Sequence, residues 1–306
     1  AWIIADNATA SPNNTVNHAC LEATGGTTNV SVSIKPKGTG AFSLAAPDGT
    51  TTGGNVRGAN AIDLQTVRSA AAEVASGQGS VVIGDSNRAT QTYGVAIGNN
   101  CSATGTSQSW AIGGSAIASG SHCLAIGRNP FASGISAIAI GGFCSSTGDY
   151  SVSVGSQSLS DRYGQFSHAA NIFAGQGDAQ FVRFVLRNKT TNATPTTIYL
   201  NGSSSRLTIP SGKIMFATVL ISGIKSDGSV VACYKRKVAI KNVGGTTSLV
   251  GSVETIGTDI EDNASTDVTI TADNTNDALD ISVTGIAAET WRWVAVVEGL
   301  EIAYGT

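Results

Sequence analysis

The sequence predicts an all-β protein in three parts: an extended N-terminal β segment, a central parallel β-roll, and a C-terminal antiparallel β-sandwich of jelly-roll type. Three observations lead to this prediction. A glycine-ended apolar string recurs about every 14 residues, strand-length runs at regular spacing follow it, and no long stretch has a helical period. We place the three parts at residues 1–74, 75–170 and 171–306.

Residues 1–74 combine short alternating runs, such as the one from Val30 to Ile34, with clusters of glycine, asparagine and threonine. So few large apolar residues cannot build a core alone, so we expect this segment to anchor on sister chains or on another protein of the same assembly. Residues 61–75 fit either a helix, because Ile62, Val67 and Ala71 partly share a helical face, or a strand that enters the roll.

The central repeat has two alternating columns of short strings. The strings VVIG, VAIG, WAIG, LAIG, IAIG and VSVG end at Gly84, Gly98, Gly113, Gly127, Gly141 and Gly155. Strings of the type Ala-Ser/Thr-Gly alternate with them and begin at Ala75, Ala103, Ala118, Ala132 and, as Ser-Thr-Gly, Ser146. Fourteen residues suit two short strands and two glycine-containing turns. Each period therefore predicts one coil of a β-solenoid, and stacked coils about 4.8 Å apart would form a rod about 30 Å long.

Each of the longer strands alternates large and small side chains. We expect the large ones to fill the roll and the small ones to point outward, where a narrow roll cannot cover them. The small outer column is then the predicted interface between identical chains: Val82, Ala96, Ala111, Ala125, Ala139 and Ser153. The alternative is a monomer with a mildly apolar exposed stripe.

The alternation of x-[VLI]-A-I-G with A-[ST]-G resembles the head repeats of trimeric autotransporter adhesins. The resemblance covers about residues 75–165. It implies a left-handed parallel β-roll that assembles as a homotrimer. The flanks do not resemble the coiled-coil stalk or the membrane anchor of that family, so we expect no membrane insertion.

The flanks resemble bacteriophage tail-fibre and head-fibre proteins instead. Four stretches are similar to a segment that introduces β-rolls in such fibres, namely KPKGTGA from Lys35, PDGT from Pro47, GGNVRG from Gly53 and NAIDLQ from Asn60. Four further features are similar to the start of their C-terminal domain, namely YGQ from Tyr163, His168, GDAQ from Gly177 and FVLR from Phe184. The resemblance implies a component of a phage virion.

Charged residues become more frequent after residue 171, and seven strand-length runs follow with turn signals between them. These runs cover residues 181–186, 197–200, 213–224, 230–240, 267–271, 279–283 and 290–297. Runs of this length without a helical period predict the sandwich, which is the one part with a conventional core.

No group of residues points to catalysis or to a cofactor. Between Val74 and Gly177 the acidic residues are Asp85, Asp149 and Asp161. Glycan cleavage generally uses a carboxylate pair about 5 to 10 Å apart. Asp149 and Asp161 are the one candidate pair, and we expect both of them to be hydrated. The sequence therefore predicts a non-enzymatic protein.

Three further sets of residues need an interpretation, and two of them allow more than one. Asp273 and Asp277 are candidate calcium ligands, although Asx-rich turns have the same composition. Trp291 and Trp293 share one strand face, where they either pack in the sandwich core or form an exposed pair that stacks on a receptor sugar. The five cysteines fit neither a disulfide framework nor metal-ligand spacing, and we interpret them as small apolar fillers: Cys20, Cys101, Cys123, Cys144 and Cys233.

Nucleic-acid binding normally requires an excess of basic residues, whereas this chain has a formal charge of −3. No nucleic acid is therefore expected as a partner. We predict a homotrimeric tail fibre, located in the virion, that attaches to a host-surface glycan or protein. Residues 1–74 would bind other virion proteins. One alternative is a capsid-attached head fibre or decoration protein. The other is a glycan-degrading tailspike, which the missing carboxylate pair disfavours.

Overall fold

The computed structural model describes residues 5–6, 19–20 and 33–304, and the chain divides into two compact units, residues 1–39 and 40–306. In the first unit, β1 (Ala5–Asp6) pairs with β2 (Ala19–Cys20) in antiparallel fashion. The alternating run from Val30 lies partly outside the described residues. The described residues contain no helix, and therefore none long and apolar enough to cross a membrane.

The second unit begins with a parallel β-solenoid. Two short strands, β3 (Phe42–Ser43) and β4 (Ile62–Leu64), precede the repeats, so residues 61–75 contribute a strand and no helix. Six coils follow, and each gives a five-residue strand and then a two-residue strand. In chain order these are β5 (Val81–Asp85), β6 (Arg88–Ala89), β7 (Val95–Asn99), β8 (Ser102–Ala103), β9 (Trp110–Gly114), β10 (Ile117–Ala118), β11 (Leu124–Arg128), β12 (Phe131–Ala132), β13 (Ile138–Gly142), β14 (Ser145–Ser146), β15 (Val152–Ser156) and β16 (Leu159–Ser160).

Equivalent residues of neighbouring coils are paired in register. Ile126 lies between Ile112 and Ile140 on the adjacent five-residue strands, as the repeat predicts. The corners need glycine for steric reasons. Gly127 has φ +128°, and a Cβ atom there would collide with the carbonyl oxygen of Gly141 in the next coil.

The interior of the roll is made of small side chains, which corrects the predicted orientation. The whole predicted interface column is 0% exposed within the single chain: Val82, Ala96, Ala111, Ala125, Ala139 and Ser153. These residues face the equally buried small residues of the two-residue strands, such as Ala118 and Ala132. The two strands of a coil lie too close for large side chains between them, so the large residues point outward. The prediction that the small column contacts sister chains is therefore wrong.

The C-terminal part is an antiparallel sandwich, as predicted. It follows β17 (Phe166–Ala169), the last parallel strand. Its strands are β18 (Ala179–Thr190), β19 (Thr196–Thr197), β20 (Leu207–Thr208), β21 (Lys213–Lys225), β22 (Val231–Val243), β23 (Thr246–Leu249), β24 (Glu254–Thr255), β25 (Ile260–Glu261), β26 (Asp267–Asp273), β27 (Ala278–Thr284) and β28 (Trp291–Ala303).

Two sheets enclose the core of this sandwich. The smaller sheet places β19, β20 and β26 beside β27. The larger sheet has the order β23-β22-β21-β28-β18-β17 and then continues without a break into the five-residue strands of the roll. Side chains from both sheets form one buried cluster that includes Phe184, Met215 and Ile281. One long sheet therefore runs through the roll and the sandwich.

Candidate functional site: the outer face of the long sheet

Two columns of large side chains, apolar except for His168, lie on the outer face of the roll. The first column contains Ile62, Val81, Val95, Trp110, Leu124, Ile138, Val152 and Phe166. The second contains Leu64, Ile83, Ile97, Ile112, Ile126, Ile140, Val154 and His168. We call them the outer columns. Their members are half-buried or exposed, with Ile140 at 38% and Trp110 at 49% exposure.

The second outer column continues across the C-terminal sheet. His168 pairs with Phe181, Phe181 with Leu300, and Leu300 with Phe216, all on the same face. The rings of Phe166 and Phe181 meet edge to face at 6.5 Å where the roll joins the sandwich. Phe216 and Leu300 are 49% and 54% exposed. One apolar stripe thus runs along the long sheet through both of its parts.

Two shallow grooves lie on this face. One, of about 710 Å³, is lined in the roll by Tyr93, Trp110 and Leu124 among others. The other, of about 450 Å³, is lined in the sandwich by Leu220, Val296 and their neighbours. A contiguous exposed apolar surface of this extent is typical of a protein interaction site and unusual on a monomer.

The outer face of the two-residue strands is less continuous. Ile117 and Phe131 are exposed there by 39% and 37%. The equivalent positions in the preceding coils are Arg88 and Ser102, which donate and accept a 3.0 Å hydrogen bond between them. Polar residues therefore interrupt the column on this side, and the long sheet carries the stronger candidate interface.

Trp291 and Trp293 belong to the sandwich core. Their rings are stacked 5.5 Å apart and are 0% and 1% exposed. Trp293 Nε1 donates to Thr190 Oγ1 at 3.1 Å, so its polar atom is satisfied inside the protein. The core interpretation is confirmed, and the prediction of an exposed pair for receptor sugars is wrong because this face of β28 packs against the smaller sheet.

Asp273 is held by turn contacts, and Asp277 is held by a contact with a distant part of the chain. Asp273 Oδ1 accepts the N–H groups of Thr275 and Asn276 at 3.1 Å each, and its other oxygen lies 3.3 Å from Arg206. Asp277 Oδ1 accepts the Thr247 hydroxyl at 2.7 Å. No cluster of three potential metal ligands exists among the described residues. The contacts of Asp273 fit the Asx-turn interpretation, and the calcium interpretation stays a prediction.

The carboxylates of the roll are each engaged locally. Asp149 Oδ1 accepts the backbone N–H of Ile135 at 2.9 Å. Asp161 lies 3.3 Å from the guanidinium of Arg162, and Asp85 accepts the hydroxyl of Ser86. Each of the three carboxylates therefore has its own local partner.

Three cysteines are fillers in the roll interior, as predicted. Cys101, Cys123 and Cys144 are buried free thiols, while Cys233 is a half-buried free thiol in the sandwich. Burial raises the pKa of the Cys144 thiol to about 11, so it stays protonated and unreactive near neutral pH. The side chain of Cys20 lies outside the described residues.

A buried ion cluster joins the roll to the sandwich. Glu301 of β28 accepts hydrogen bonds from Arg162 of the last coil at 2.5 Å, from Lys213 at 2.7 Å and from Gln180 at 2.9 Å. Burial alone would raise the pKa of Glu301, but the charges of Arg162 and Lys213 outweigh it and lower that pKa below its usual value.

Sequence reasoning missed this cluster, although a signal was present. Alternation along β28 places Glu301 on the same face as Trp291 and Trp293, which predicts a carboxylate inside the core. Lys213 likewise shares the inward face of β21 with Met215. Two opposite charges on inward faces of neighbouring strands indicate a buried pair.

The family of the YadA head domain repeat matches this chain in two copies, at residues 75–100 and 132–158. No curated protein gives a significant match. Among solved structures, the tailspike protein gp49 of Acinetobacter baumannii bacteriophage Fri1, a capsular polysaccharide depolymerase, is 11% identical with a TM-score of 0.26, and the alignment covers 68% of this chain and 40% of that one. The tailspike of Acinetobacter baumannii phage AM24 is 10% identical with a TM-score of 0.26, and the coverage is 72% and 40%.

This chain aligns to less than half the length of those tailspikes, and resemblances of this size carry no argument about its function. The repeat match has more weight, because it falls on the coils whose register and glycine corners the structure shows. The central roll is thus built from repeats of the kind found in YadA heads. This supports an attachment or fibre-like role.

Proposed function

We propose that this chain is a non-enzymatic structural protein of a phage virion, a homotrimeric tail fibre that mediates attachment to the host surface. The observation that supports it most is the apolar stripe formed by the outer columns and their continuation through Phe181, Leu300 and Phe216. Virion and tail-fibre identity is supported by the resemblance of the flanking segments to phage fibres.

A stripe that runs along the whole long sheet suits a parallel assembly around a common axis. In a closed cyclic arrangement each chain contributes the same strip and no copy remains uncovered. The number three is supported by the similarity of the coils to YadA head repeats. The outer columns therefore take the place of the small column as the proposed contact between chains.

Each part of the fibre has its own proposed task. Residues 1–74 bind other virion proteins, the roll is a rigid spacer, and the sandwich presents a surface to a host glycan or protein. Three copies of a weak site on one rod raise the apparent affinity through their effective concentration. The local engagement of Asp85, Asp149 and Asp161 supports a binding role without glycan cleavage.

A pair of matched variants tests the assembly. Ile140→Asp introduces a charge into the second outer column, whereas Ile117→Asp does so on the opposite sheet at nearly the same exposure, 38% against 39%. Burying an unpaired carboxylate between chains is costly, so we expect Ile140→Asp to reduce the mass in solution to that of one chain. Ile117→Asp should leave the mass unchanged. An equal response of both variants in light scattering would contradict the proposed interface.

Immunogold labelling of intact particles tests the location. Labels at the tail would agree with a tail fibre, and labels distributed over the capsid would favour the head-fibre alternative.

A further inference from the structure

Three cations lie together at one end of the C-terminal sheet. Lys189 of β18 is paired directly with Arg292 of β28, and Arg187 lies two residues away on the same outer face, opposite Val294. All three side chains are exposed. They lie six to eight residues along β18 from Phe181, about 20 to 27 Å at the rise of an extended strand. This group lies beyond the stripe of Phe181, Leu300 and Phe216 and borders the sandwich groove at Val294, and we call it the cationic end.

None of the three side chains of the cationic end forms an ion pair among the described residues, whereas Arg183 on the same strand pairs with Glu298 at 3.8 Å. Like charges directly opposite each other in an antiparallel pair destabilise a sheet. The sequence therefore places two like charges, Lys189 and Arg292, directly opposite each other.

The three cations surround a cavity of about 320 Å³, lined also by Asn188, Gly202, Trp293 and Val294. Arg187 is oriented there by backbone acceptors, since its Nη2 donates to the carbonyl oxygen of Asn201 at 3.1 Å. A Cβ atom on Gly202 would lie 3.1 Å from Arg187 Nε, so glycine leaves room for the guanidinium. A held guanidinium loses less freedom on binding an anion.

The lining selects a class of ligand. Guanidinium and ammonium groups bind carboxylates through charge-assisted hydrogen bonds, and Val294 offers an apolar surface to the C–H face of a sugar ring. The volume falls in the usual range for small-molecule sites. A long nucleic acid fits poorly, because the chain has a net charge of −3 and the cluster is short.

We propose that Arg187, Lys189 and Arg292 form a binding site for the carboxylate groups of an acidic polysaccharide. Binding itself does not depend on trimer formation, but its use in host attachment rests on the proposed function.

The test uses the full chain, with oligogalacturonate as the acidic probe and neutral dextran oligomers of similar length as the control ligand. Lys189→Thr and Arg292→Thr should each weaken oligogalacturonate binding about tenfold in calorimetry at low salt. Lys235→Thr removes an exposed lysine of β22 that lies on the same outer face of the long sheet as the cationic end. This variant should not alter the affinity. Lys189→Thr should also raise the melting temperature at low ionic strength, because the opposed pair is relieved.

Several results would overturn the site. Dextran binding as strong as that of oligogalacturonate, or an equal loss in Lys235→Thr, would show that the cationic end does not select carboxylates. The solution mass, measured in parallel, separates this proposal from the trimer. If Lys189→Thr and Arg292→Thr reduce the mass to one chain, a neighbouring copy occupies the cavity. Normal probe binding by a monomeric protein would instead contradict the trimer alone.

Discussion

Glycine at the corners of the coils is required by the distance between coils as well as by the backbone angle. Gly127 combines a left-handed φ with a neighbouring carbonyl oxygen where a Cβ would lie. The glycine equivalent to Gly127 in the next coil is Gly141. Gly142, which directly follows it, has open space around it and no positive φ. Comparing these two residues therefore distinguishes a glycine that the backbone requires from one that alanine could replace.

We predict that Gly127→Ala destabilises the roll by at least about 2 kcal/mol, because strain and a backbone clash add. Gly142→Ala should change the free energy of unfolding by less than about 0.5 kcal/mol, as surface substitutions usually do. Urea denaturation followed by circular dichroism measures both. A similar loss for the two variants would show that the corners do not need glycine for the reason given.

The sequence predicted the coils, their register and the longer strands of the sandwich, because the period and the alternation can be read from the residue order. It did not predict the short strands β20, β23, β24 and β25. It did not predict which side of the roll is inside. Alternation shows that Ala125 and Ile126 point to opposite faces, but only the distance between the two strands of a coil decides which face is enclosed. Small residues such as Ala118 on the second strand were the available signal, since two small columns meet only inside a thin roll.

At the scale of strands and coils, the join between the roll and the sandwich depends on Glu301. Its carboxylate forms buried ion pairs with Arg162 of the last coil and Lys213 of β21. Removing one partner of such a group leaves an uncompensated buried charge. Glu301 also makes the stability of the contact between the roll and the sandwich depend on pH, because the pKa of Glu301 is lower in the folded protein than its ordinary value of 4.5.

We expect Glu301→Gln to reduce the free energy of unfolding at pH 7 by about 3 to 5 kcal/mol. A lowered folded-state pKa stabilises the protein above the unfolded value, and that contribution is lost as the pH falls through the folded-state pKa, below about 4.5. The stabilities of wild type and variant should therefore converge in acid. Glu298→Gln, at an exposed pair, is the control and should have little effect. A gap that stays constant from pH 7 to pH 3 would contradict the role of Glu301.

At the scale of the whole molecule, the decisive feature is that one sheet serves both the roll and the sandwich. Its inner face closes the roll in one part and the sandwich core in the other. Its outer face keeps large apolar side chains exposed along the same columns in both parts. An exposed apolar stripe of this kind is expected to be covered by sister chains in water.

The mass of the native protein in solution, by sedimentation equilibrium at micromolar concentration, tests this most directly. Chains that bury the outer columns against each other should sediment as a single species of three times the 30.9 kDa chain mass. A stable single chain of 30.9 kDa under those conditions would contradict the trimer and the role assigned to the outer face.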